Sequence, residues 1–200
     1  MEISSFWNKV DQEIAKYDLL QHPFYRAWSA GELTTQDLKF YGEQYYHHVS
    51  QFPTYLTSLH ARLPEGAMRR DVLTNAFDEE CAGLPHSELW LRFVEGMSAM
   101  EPASNASHPI PEVAALVSAF RSIAQEAPVA AVFGALFAYE SQVPRIASEK
   151  LSGLKQHYGA DDRACSYFTL HEKADVRHAS ALFPARRMCA GAVSSFQTAT

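Results

Sequence analysis

Cysteine is scarce in this chain of 200 residues. Cys81, Cys165 and Cys189 are odd in number, far apart and without a CxxC pair. That excludes a disulfide framework and a zinc-ribbon spacing, and it fits a reducing, cytoplasmic setting. Glycine is also thin, at 9 residues, which argues against a turn-rich β protein. Positive charge is in deficit: 17 Lys and Arg stand against 23 Asp and Glu, for a net charge of −6. Such a balance carries no electrostatic footprint for nucleic acid or for an anionic membrane surface. The longest apolar run, 127–139, is too short to span a bilayer and stops at Glu140. The first twenty residues carry acids and no apolar core, so no signal peptide is expected there. What the chain does have is 47% hydrophobic residues, enough for one core in one domain, and nine histidines whose placement needs explaining.

The apolar residues recur at the helical period throughout, and no stretch alternates at period two. Ser4 or Ser5 is expected to cap a first helix through Phe6, Val10, Ile14 and Tyr17. Pro23 starts a short helix that Gly31 ends. Thr34 or Thr35 caps a long helix to about residue 63, bent at Pro53. Helices over 65–81 and 86–100 follow, with Gly83 and Pro85 breaking or kinking the chain between them. A loop over 101–111 leads to helices over 112–126 and 128–158, and a last one runs from near Asp161 to about 182. These seven or eight helices predict an all-α domain over 1–182, with 183–200 as a tail of low order. Sites in such folds are built from side chains on facing helices.

Three sets of residues could carry chemistry. His171, Asp175 and His178 stand at i, i+4 and i+7, so two imidazoles and a carboxylate share one helical face. Glu140 ends an apolar helix, where a lone buried carboxylate costs several kcal/mol unless paired or metal-bound. Pro144 cannot donate to the Glu140 carbonyl, which opens the helix there. By itself Glu140 is equally readable as a partner of Arg145. Glu79 and His86 lie seven residues apart, two turns of a continuous helix, and Glu80 is an equally good carboxylate by type. Imidazole and carboxylate donors in a helical core suit iron or manganese better than structural zinc. Three carboxylates against two divalent cations leave one positive charge, which a bridging hydroxide or oxide would neutralise. The Glu-x-x-His signature of ferritin-type sites is absent.

Glu79-x6-His86, the lone Glu140 and His171-x3-Asp175-x2-His178 resemble the ligand pattern of the haem-oxygenase-like di-metal oxidases. The run His22-Pro23-Phe24-Tyr25-Arg26-Ala27-Trp28 followed by Gly31-Glu32-Leu33 is similar to that superfamily's first helices. Within it the likeness is strongest to the para-aminobenzoate synthases, the family of the chlamydial protein associating with death domains. It covers about residues 5–182. The resemblance implies a haem-oxygenase-like bundle of about seven helices, with Glu79, His86, Glu140, His171, Asp175 and His178 as metal ligands, and it selects Glu79 over Glu80.

It also implies an activity: para-aminobenzoate made for folate with two iron and/or manganese ions, molecular oxygen and an external reductant. The ring would come from the enzyme's own Tyr25 and the amino group from Lys150, with Tyr41 and Tyr139 as further active-site tyrosines. Read from the residues alone, Tyr25, Tyr41, Tyr45 and His48 are ordinary core, and Lys150 faces solvent. A homodimer is compatible with the resemblance. The rival expectations are an oxidase of this fold acting on an external amine or fatty acid, a metal-free thiaminase-like or quinone-forming relative, and a non-enzymatic interaction protein. The family continues past His178 with an apolar helical stretch where this chain has PARRMCAGAVSSFQTAT.

Overall fold

The computed structural model of the chain describes residues 3–98 and 108–172. Every regular element among them is helical, as the periodicity predicts. In order these are α1 (Ile3–Lys16), α2 (Pro23–Ala30), α3 (Thr35–Val49), α4 (Phe52–Arg62) and α5 (Ala67–Glu80). Then come α6 (His86–Met97), α7 (Pro111–Glu126), α8 (Val129–Glu140) and α9 (Val143–His157). A final helical stretch, α10, opens at residue 166 and continues to the end of the described region at 172. A 3-10 turn, Leu19–Gln21, joins α1 to α2. The expected tail lies outside the described residues.

Local chemistry accounts for most of the boundaries. Thr34 opens α3 with a capping box: its hydroxyl accepts from the Asp37 N–H at 3.1 Å, and the Asp37 carboxylate accepts from the Thr34 N–H at 2.8 Å. Pro23 and Pro111 sit in first turns, where no donor is needed. Three expectations are corrected. Helix α1 already runs at Ile3, so Ser4 and Ser5 lie inside its first turn and are not its caps. The long helix predicted over 34–63 is two helices, because Pro53 has no N–H to give and Ser50 and Gln51 form the joint. The helix predicted over 128–158 divides likewise at Ser141 and Gln142, with Pro144 in the first turn of α9.

Two apolar clusters form the core. One gathers Phe52, Leu56 and Leu59 of α4, Val72 and Ala76 of α5, Ala124 of α7 and Phe133, Leu136 and Phe137 of α8. Trp7 of α1 closes it, edge-on to Phe137 at 5.3 Å between ring centroids. The other gathers Trp28, Leu38, Val49, Leu89, Trp90, Phe93, Leu154 and Phe168 from α2, α3, α6, α9 and α10. Helix α8 is apolar almost all round and buries Val132, Phe133, Leu136, Phe137 and Glu140 most deeply. Where α9 crosses α2, a Cβ on Gly153 would stand 2.7 Å from the Trp28 indole, so only glycine admits that approach. The Trp28 indole N–H uses the closeness to donate to the Lys150 carbonyl at 3.2 Å. The two clusters meet along a seam where the Tyr45 and Tyr139 hydroxyls bond and where the His48 ring packs against Tyr45, Phe52 and Tyr139.

Candidate metal centre and lysine chamber

Glu79 is the next-to-last residue of α5 and His86 starts α6. The chain does not stay helical between them: Cys81 caps α5, and Gly83 takes φ +99° in a turn closed by Pro85. This turn folds two consecutive helices so that Glu79 Oε2 lies 2.8 Å from His86 Nδ1. His171 arrives from α10, its ring centroid 4.7 Å from that of His86. One donor atom from each of Glu79, His86 and His171 falls within 4.8 Å of the others, and all three residues are buried. Glu140 comes from the last position of α8, 4% exposed. It lines the same cavity as Glu79 and His171, together with Val49, Phe52, Tyr139, Val143 and Tyr167. Glu80 is exposed, so the carboxylate choice falls on Glu79. Asp175 and His178 lie outside the described residues.

The donors are oriented. His171 Nδ1 is 2.8 Å from the Tyr167 carbonyl one turn earlier, which fixes that nitrogen as the donor and leaves Nε2 with its lone pair. The Asn75 amide, on α5 one turn before Glu79, donates to both Glu140 oxygens at 3.2 and 3.4 Å. Arg145 does not pair with Glu140. It forks onto Asp18 at 2.6 and 3.2 Å, tying α9 to the 3-10 turn. His86 Nδ1 is buried and makes no aligned hydrogen bond, although a carboxylate oxygen sits beside it. Two carboxylates and two imidazoles buried together, one nitrogen without an aligned partner, fit a divalent cation with a preference for N and O donors. Such an ion would offset the desolvation of the carboxylates.

A second cavity shares Tyr139, Val143 and Tyr167 with the first as a common wall. Its other lining includes Tyr25, Tyr45, Trp90 and Lys150, and its volume is about 50 Å³. Lys150 does not face solvent. It is 6% exposed, because Ile146, Ala147, Gly153 and Leu154 on the same face of α9 are buried with it. Desolvation lowers its pKa to about 7. Its Nζ donates to the Tyr41 hydroxyl at 2.6 Å, and the rings of Tyr25, Trp28, Tyr41, Tyr45, Trp90 and Phe168 surround it at 4.9–5.9 Å. The Tyr25 and Tyr41 hydroxyls lie 3.5 Å apart. With Tyr41 accepting from lysine, its own proton is available to Tyr25. The Tyr45 and Tyr139 hydroxyls bond at 2.9 Å across the seam. Burial pushes the phenols of Tyr25, Tyr41, Tyr45 and Tyr139 upward, so all four are held protonated.

Tyr25, Tyr41, Tyr139 and Lys150 therefore stand together, beside the Glu79, His86, Glu140 and His171 group. Sequence reasoning missed Asn75 and Tyr167. Both were findable, since Asn75 precedes Glu79, and Tyr167 precedes His171, by four residues on one helical face. His48, read as core, is fully buried in aromatic rings with neither ring nitrogen bonded.

A helical bundle with buried imidazole and carboxylate donors defines a class of metal-dependent redox proteins, and the comparisons agree. A solved domain of unknown function with a heme oxygenase-like fold, from Shewanella denitrificans, superposes with a TM-score of 0.76 at 17% identity, over 94% of this chain and 79% of that one. The chain belongs to the family of iron-containing redox enzymes, whose profile matches residues 39–192. Its curated relatives include the 4-aminobenzoate synthase of Chlamydia pneumoniae, 37% identical over 89% of this chain and 80% of that protein. The 4-aminobenzoate synthase of Nitrosomonas europaea is 38% identical over 90% of this chain and 78% of its own.

Proposed function

We propose that this protein is an oxygen-dependent di-metal oxidase that makes para-aminobenzoate, for folate, from its own Tyr25 and the amino group of Lys150. The observation that carries the reading is the shared wall. A desolvated amine and a buried tyrosine pair lie directly behind the side chains that line the Glu79–Glu140–His171 cavity. The names of the relatives support the product.

Glu79, His86, Glu140 and His171 would hold iron or manganese, with Asp175 and His178 completing the set. Bound metal would supply the oxidising power, with molecular oxygen as the oxidant and an external reductant as the source of electrons. The chain's own residues do the rest. Asn75 fixes the plane of the Glu140 carboxylate. The aromatic shell strips water from Lys150, so that near neutral pH a large share of the amine is uncharged and nucleophilic. Tyr41 holds that amine by a hydrogen bond, and its hydroxyl also lies 3.5 Å from that of Tyr25. With about 50 Å³ the chamber has room for a few waters and not for a fatty acyl chain, which disfavours an external lipid substrate.

The test is product analysis of protein loaded anaerobically with iron, or iron and manganese, then given oxygen and a reductant. Aminobenzoate formed without added substrate, with intact mass lost at Tyr25 and at most one turnover, is the expected result. A Tyr25→Phe variant that still makes aminobenzoate would sink the self-sacrifice reading. Absence of bound metal would sink the oxidase reading.

A further inference from the structure

Tyr167 touches both cavities and is the residue whose surroundings say most beyond the proposed reaction. Its ring lies on the His171 imidazole with centroids 4.0 Å apart and an interplanar angle of 27°. One turn of helix connects the two residues, so the Tyr167 carbonyl also takes the His171 Nδ1 proton. Tyr167 also meets Trp90 in an edge-to-face contact, the ring centroids 4.8 Å apart and the planes at 86°. Trp90 is itself pinned, since its indole N–H donates to the Gly42 carbonyl at 2.8 Å. His86 approaches Tyr167 at 6.4 Å, nearly perpendicular. The tyrosine is thus packed against an anchored tryptophan and two imidazoles, on the wall shared by the metal centre and the lysine chamber.

We propose that Tyr167 is the positioning residue of the metal centre, its flat ring wedged against Trp90 to hold the His171 imidazole in the plane that aims Nε2 at the metal. The proposal rests on the metal-centre reading above. The Tyr167 carbonyl fixes which His171 nitrogen is protonated and biases χ2, but a single hydrogen bond can break and let the ring turn. The stacked phenol removes that freedom. A ligand held in one orientation loses less entropy when it coordinates, and outer-shell partners that orient a ligand are in general worth about 10–100-fold in metal affinity. The role assigned is that of the ring, so phenylalanine should serve as well as tyrosine.

The experiment is titration of the purified full-length chain with cobalt(II), followed by its visible absorption bands, alongside iron content by elemental analysis. Tyr167→Leu should bind about 10–100-fold more weakly with altered bands, and Tyr167→Phe should stay within about twofold of wild type. Phe93→Leu is the comparison for general loosening. That ring is fully buried in the same cluster, on the helix that carries His86, and lines neither cavity. It should lower thermal stability and leave cobalt affinity within about twofold. If leucine at 167 prevents folding, Tyr167→Met keeps most of the volume without the flat ring and should show the same loss. Wild-type affinity in Tyr167→Leu or Tyr167→Met overturns the proposal. So does a loss in Tyr167→Phe, or an equal loss in Phe93→Leu. A wild-type chain that binds neither cobalt nor iron overturns the metal-centre reading instead, and this inference falls with it.

Discussion

Lys150→Met should stabilise the protein at neutral pH, and the gain should disappear in alkali. The lysine amine is buried, and desolvation brings its pKa from 10.5 to about 7. In the unfolded chain the same amine titrates near its ordinary value. Between pH 7 and 10.5 the unfolded state therefore holds a proton that the folded state has released. Stability rises with pH wherever the unfolded state binds more protons, so this group's contribution is complete above 10.5 and is lost as pH falls through 7. The shift of 3.5 between those two values corresponds to about 5 kcal/mol across the window. Methionine keeps the volume and removes the titration. It also removes the hydrogen bond to Tyr41, worth about 1 kcal/mol. The variant should exceed wild type by roughly 3–4 kcal/mol at pH 7 and be level or slightly worse near pH 10.5. The assay is urea unfolding of the chelator-treated proteins at pH 7, 8, 9 and 10, read by tryptophan fluorescence, since Trp28 and Trp90 are buried. A stability difference that does not change with pH, or a variant weaker than wild type at pH 7, would refute the account of Lys150 as a desolvated amine.

Glu79→Gln should keep the fold but retain less than about a tenth of the wild-type iron, because an amide cannot supply the anionic oxygen beside His86; elemental analysis with a thermal melt checks both halves. His48, whose pKa burial lowers to about 4, binds no proton in the folded chain between there and 6.5 while the unfolded chain does. Wild type should therefore lose about 2–2.5 kcal/mol between pH 7 and 4.5, and His48→Leu should lose that much less, in paired urea titrations at those two values. Gly153→Ala should destabilise by about 1–3 kcal/mol, since its Cβ would strike the Trp28 ring; an unchanged melting temperature would show that α2 and α9 can move apart.

The helical class and most element positions are legible in the 3.6-residue period, because each helix buries one stripe. The joints at 50–51 and 141–142 are not. Ser50, Gln51 and Ser141 keep right-handed helical backbone, and the apolar pattern runs on through both breaks. Only the prolines two or three residues later mark them, and a proline is equally at home in a bend. The Glu79–His86 spacing fits a continuous helix, whereas the true proximity comes from the turn at Gly83 and Pro85, a tertiary outcome that spacing alone leaves open. Lys150 is the instructive miss. The rule that lysines face solvent is a statement about averages, while Ile146, Ala147 and Leu154 put position 150 in the middle of an apolar stripe. Residue type carried the expectation, and register held the answer.

The same register explains how the fold tolerates such a group. Burying an amine whose charged form is disfavoured by several kcal/mol requires that its helix have nowhere else to go. Trp28 provides this from two directions: its indole packs against Gly153 with no space for a methyl, and its N–H holds the Lys150 carbonyl. One turn away on α9, the Arg145 fork onto Asp18 ties the helix to the start of α2 through the 3-10 turn. Tyr25 sits on α2, between that tie and Trp28. The contacts that force Lys150 inward are therefore the ones that deliver Tyr25 to it, and loosening α2 against α9 would release the lysine and the tyrosine together.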